Sequence, residues 1–95
     1  MRLSSKELSI IECAIRNRDP QASIYLFGSR VNDDAKGGDI DLLVISNHIG
    51  FRDEIAIRRE ILDEIGWQKL DLIVHPEKHS QSPIVRIAIE SGIRL

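Results

Sequence analysis

A chain of 95 residues, 42% hydrophobic and 29% charged, suffices for one packed domain (1–95) and is too apolar for a disordered segment. Its formal net charge of −2 excludes the cationic excess that general binding to nucleic acid or to an anionic membrane needs. The lone cysteine, Cys13, excludes an internal disulfide; with no signal-like start and no membrane-spanning apolar run, a cytoplasmic location is expected.

Residues 4–17 read as a helix. Ser4 and Glu7 have the spacing of a capping box, and Leu8, Ile11, Ala14 and Ile15 recur on one face. Cys13 falls inside that pattern and is expected to be a small buried hydrophobe. Asp19-Pro20 ends the helix, because the residue before proline is pushed out of helical conformation. Residues 23–27, SIYLF, form a short strand that stops at Gly28. The polar stretch from Gly28 to Gly38 is loop, and residues 39–45 are a largely apolar, buried strand.

A helical pattern returns over 51–65. Phe51, Ile55, Ile61, Leu62 and Ile65 are expected to face a core, with Arg52, Asp53, Arg59, Glu60 and Asp63 toward water. Gly66 serves as its C-cap, and Trp67 is expected to be partly buried at the helix end. LDLIV (70–74) is a third strand. Ser82-Pro83 opens a last helix that Gly92 stops. The order of elements predicts an α/β fold with a small mixed sheet of about three strands. The first two strands, joined by about ten residues, suit an antiparallel pair, and the second and third are joined through a helix in a parallel βαβ unit.

Two acids, Asp39 and Asp41, stand just ahead of Leu42-Leu43-Val44-Ile45. Residues two apart in a strand share a face, so these carboxylates project together and suit a hard divalent cation; without one they repel each other. Asp71 opens the third strand as they open the second, and in a parallel pair both starts lie at one edge. The antiparallel first strand ends at that edge, which delivers Gly28-Ser29 beside the acids. Gly28 lets backbone approach a ligand closely, and N–H groups with the Ser29 hydroxyl can grip phosphate. Phosphate beside three carboxylates requires a divalent metal between them, so Mg²⁺ and a nucleoside triphosphate fit the set together.

Gly28-Ser29, nine residues, then Asp39-Ile40-Asp41-Leu42, with a later Asp71, resembles the DNA polymerase β-like nucleotidyltransferase superfamily. More narrowly it is similar to the minimal nucleotidyltransferase branch, found in toxin–antitoxin pairs with HEPN-domain partners. The resemblance spans nearly the whole chain. It implies that fold, with Asp39, Asp41 and Asp71 as ligands of two Mg²⁺ ions and Asp71 also helping to activate the attacking hydroxyl. It implies Gly28, Ser29 and Arg30 as the nucleotide-binding group, with ATP as donor. Gly38 departs from the pattern, standing where that branch often has serine.

The implied reaction is transfer of AMP to a hydroxyl, most concretely a tyrosine of a HEPN toxin, with the chain acting as antitoxin. A chain of this length is expected to hold the catalytic core and little else, so the acceptor comes from another protein. The alternatives are an antitoxin that neutralises by occlusion without catalysis, and a subunit of a small-molecule adenylyltransferase of the aminoglycoside type. Oligomeric state is open at this stage. Asp33, Asp34 and Lys36 read as solvated loop residues. Pro76 between His75 and His79 spoils a helical zinc pair, and "KGGD" and "FGSRV" lack the spacings of a P-loop and a hydrolase elbow.

Overall fold

The computed structural model describes residues 3–28, 40–66, 69–77 and 82–95. Among these the chain runs α1 (Ser5–Arg16), β1 (Ser23–Phe27), β2 (Ile40–Ile45), α2 (Phe51–Ile65), β3 (Leu70–His75), α3 (Pro83–Ser91) and β4 (Ile93–Arg94). The sheet order is β3-β2-β1-β4. β1 is antiparallel to β2 and to β4, while β2 and β3 are parallel, as the sequence predicts for a mixed sheet.

Local chemistry fixes the element ends. The Ser4 hydroxyl accepts from Glu7 N–H and the Glu7 carboxylate from Ser4 N–H, both at 3.0 Å, which closes the predicted capping box. α1 stops at Arg16, and Asp19 N–H makes one last bond to Ile15 O at 3.1 Å before Pro20. Asp53 accepts from Gly50 N–H at 3.1 Å at the start of α2. At the other end, Gly66 takes φ +87° and returns its N–H to Leu62 O at 2.9 Å.

Alternation sorts the sheet into two unlike faces. On one, the rows Ile93–Leu26–Leu42–Leu72 and Ile24–Val44–Val74 are wholly apolar. All of these but Ile93 pack with Ile11, Ala14 and Ile15 of α1 and Ile57 and Ile61 of α2 into the main core. The other face carries Leu43 and Ile45 against Val85 and Ala88 of α3. Arg18 links α1 and α2 from outside, 3.8 Å from both Asp53 and Glu60; such half-exposed pairs contribute under about 1 kcal/mol.

Three expectations are corrected. Cys13 is exposed, not buried: the core stripe of α1 is Ile11, Ala14 and Ile15, and Cys13 falls off it, near Asn17 Nδ2 at 3.6 Å. In α2 the core face is Ile57 and Ile61, while Phe51 and Ile55, one turn apart on a different flank, are 75% and 54% exposed. The sheet has a fourth strand, β4, whose two residues pair with Tyr25 and Leu26. Asp39, Trp67 and His79, placed by the sequence reading at a strand start, a helix end and a histidine pair, lie outside the described residues.

One buried polar contact ties α1 to the far end of β2. The Ser46 hydroxyl donates to Asp19 Oδ2 at 2.5 Å and accepts from His48 and Ile49 N–H, and Gln21 N–H donates to Asp19 Oδ1. The Ser46 hydroxyl is the main reason that the Asp19 carboxyl titrates below its ordinary 3.8; burial opposes it, and Gln21 N–H, His48 and Arg16 add to it. Because the folded value is depressed, the contribution is complete above 3.8 and is lost as pH falls through the folded value. Denaturant unfolding from about pH 5 to about pH 3 should therefore show wild type losing more stability than Asp19→Asn, which does not titrate there. Equal slopes would remove Asp19 from the acid response. At neutral pH, Asp19→Ala is expected to cost about 1–3 kcal/mol, since Ser46 keeps a buried, unanswered hydroxyl.

Candidate active site

β2 is the central ladder partner of both β1 and β3, and its second residue is Asp41. Register places Asp41 directly beside Asp71 of β3 and directly opposite Phe27 of β1. Neighbouring strands lie ~4.8 Å apart, and register partners project from the same face. The row Phe27–Asp41–Asp71 therefore crosses the sheet at one edge, on the face that also bears α3. The next rows on that face are Arg94–Tyr25–Leu43–Ile73 and Ser23–Ile45–His75, so the acids occur only in the outermost described row. Helix α3 packs over β1 and β4, and Asp41 and Asp71 are both partly exposed.

Gly28 follows β1 with φ +77°. A Cβ built on it would land on Asp41 Oδ2, with Asp41 Cγ at 3.0 Å. The Asp41 carboxylate thus lies across the end of β1, in space that only glycine leaves open. The structure brings together Gly28, Asp41 and Asp71 of the predicted site. Ser29, Arg30 and Asp39 lie outside the described residues. Phe27 was missed by sequence reasoning; its only signal was its place next to Gly28.

Two acids that are register partners on one face fit a hard cation that takes oxygen ligands. Asp41 and Asp71 are the donors seen for it. Among the described residues no group of three or more His, Cys, Asp or Glu is placed to hold an ion; the third acid expected from the sequence is Asp39.

A cleft of about 720 Å³ lies elsewhere, at the opposite ends of β2 and β3. Its lining includes Asn47, Phe51, Glu54, Pro76 and Glu77. Glu77 is engaged there, accepting from Asn47 Nδ2 at 3.2 Å while its N–H donates to Asn47 Oδ1 at 2.9 Å. That reciprocal clasp joins the chain beyond the ends of two strands. No helix among the described residues is long and apolar enough to cross a membrane.

A family model described as a nucleotidyltransferase domain matches residues 8–95. No match was found among the curated proteins.

Proposed function

The chain belongs to the nucleotidyltransferase domain family, and from that premise we propose that it transfers AMP from ATP to a tyrosine hydroxyl of a HEPN-domain partner, acting as its antitoxin. Nucleotidyl transfer and the polymerase β-like fold follow from the family; donor, acceptor and biological role are the proposal. The observation that carries the site is the direct pairing of Asp41 with Asp71 on one sheet face, beside Gly28.

Asp39, Asp41 and Asp71 are assigned as the ligands of two Mg²⁺ ions, which when bound neutralise phosphate charge and polarise the reacting oxygens. Gly28 and Ser29 bring backbone N–H groups and a hydroxyl to the phosphates, and Arg30 offsets their charge. The acceptor oxygen attacks the α-phosphorus in line, its bond to the bridging oxygen breaks, and pyrophosphate leaves. Asp71, at the exposed sheet edge, takes part in removing the acceptor's proton.

The test is incubation with α-labelled ATP, Mg²⁺ and a HEPN-domain partner. Label is expected on a partner tyrosine with wild type and not with Asp39→Ala. No label, or Asp39→Ala labelling as wild type does, overturns the proposal. Full neutralisation by an inactive variant would assign the antitoxin effect to occlusion instead.

A further inference from the structure

Two glycines of the chain have left-handed backbone, Gly28 at φ +77° and Gly66 at φ +87°, among the described residues. Left-handed backbone alone accounts for a glycine at either place. The two differ in what a side chain would meet. A Cβ at Gly66 meets nothing within 4 Å, whereas at Gly28 its space is already held by the Asp41 carboxylate, with Cγ at 3.0 Å and Cβ at 3.4 Å. Register explains the approach: Phe27 is the cross-strand partner of Asp41, so Gly28 is the next residue outward along β1. Phe27 is itself half-buried against the cluster of Leu43, Ile45, Val85 and Ala88, which holds the end of β1 close to β2.

From this we infer that Gly28 is a positioning residue for metal binding: its missing side chain is the seat of the Asp41 carboxylate. A methyl group there turns Asp41 away from the ion it shares with Asp71. The role differs from backbone approach to phosphate, which a small side chain would disturb without touching the metal ligands. It rests on the reading of Asp41 and Asp71 as metal ligands, and the experiment separates the two.

Binding of Mn²⁺ without nucleotide, followed by the electron paramagnetic resonance signal of the free ion, is compared for wild type, Asp41→Asn, Gly28→Ala and Gly66→Ala. Wild type and Gly66→Ala should bind alike and Asp41→Asn should lose binding. Gly28→Ala should bind about 10–100-fold more weakly, the loss typical when the support of a ligand is removed. If Asp41→Asn loses binding but Gly28→Ala binds as wild type does, the inference falls and the metal reading stands. If wild type does not bind, or Asp41→Asn binds as tightly, the metal reading falls and takes the inference with it.

Thermal unfolding without metal gives a second, independent readout. Gly28→Ala should lower the midpoint more than Gly66→Ala does, and its loss should shrink once Asp41→Ala has emptied the seat. An equal loss in both backgrounds overturns the inference. Should Gly28→Ala alone fail to fold, the double variant Gly28→Ala/Asp41→Ala is expected to recover folding, and its failure to do so overturns the inference as well.

Discussion

Asp41→Ala is expected to lower nucleotidyl transfer by about 10³-fold or more, since losing a metal-ligating carboxylate forfeits several kcal/mol of transition-state stabilisation. The same change should move the metal-free unfolding free energy by less than about 1 kcal/mol. The two effects separate because of where Asp41 sits. It is partly exposed at the start of β2, so truncation opens no buried cavity. Asp41 is the register partner of Asp71, and two like charges on neighbouring strands repel when no cation lies between them. Alanine is no worse than aspartate in a strand. Metal should then stabilise only the wild type: at a hundred times its dissociation constant, Mg²⁺ adds about 2.7 kcal/mol by mass action. Label transfer from α-labelled ATP and thermal melts with and without Mg²⁺ check both halves. A metal-free loss above about 3 kcal/mol would assign Asp41 to the fold rather than to the chemistry.

The same residues show how far a sequence reading reaches. The Asp41–Asp71 pairing was legible because two facts fix it without side-chain detail. A helix between two strands makes them parallel, and parallel strands that both open on an acid bring those acids to one edge. Ser4 with Glu7 was legible because a capping box is local. What escaped depended on long-range packing. Phe51 and Ile55 match a helical period, but α2 meets the sheet through Ile57 and Ile61, and period alone does not say which stripe wins. Strand β4 has two residues, too few for any alternation, and is defined by its pairing with Tyr25 and Leu26 of β1. Ser29, Arg30 and Asp39 are proposed from the sequence pattern alone. The seat that Gly28 leaves for Asp41 was invisible until register placed one beside the other.

The unlike faces of the sheet make that division of labour possible. Every described residue in the rows of the α1–α2 face is apolar, and that face holds the larger core. The acids stand on the other face, which α3 covers over β1 and β4. The two sides of β2 differ accordingly: Leu42 faces the larger core, and Asp41, one residue earlier, lies on the α3 face, in the row outside Leu43.

Gly92→Ala should be among the costliest single-methyl additions, about 3 kcal/mol, or roughly 12–24 °C in the midpoint of a 95-residue domain. Backbone strain is not the reason: at φ −94° and ψ −179° Gly92 is extended, a conformation any residue adopts. Space is the reason. A Cβ there would run into Ala88 O, the carbonyl that accepts Gly92 N–H at 2.9 Å, and would lie 2.7 Å from Leu26 O. Both are backbone atoms, one in α3 and one in β1, and neither can swing aside as a side chain does. Relief requires moving α3 from β1, which breaks the pairing of Ile93 with Leu26 and the bond from Leu95 N–H to Ile24 O at 2.8 Å. Gly66→Ala supplies the contrast, because at φ +87° and ψ 167° it meets backbone strain with open space around it and should cost about 1–3 kcal/mol. Denaturant unfolding of both variants decides the order. If Gly66→Ala proves the more damaging, the close approach of α3 to β1 is not what requires glycine at position 92.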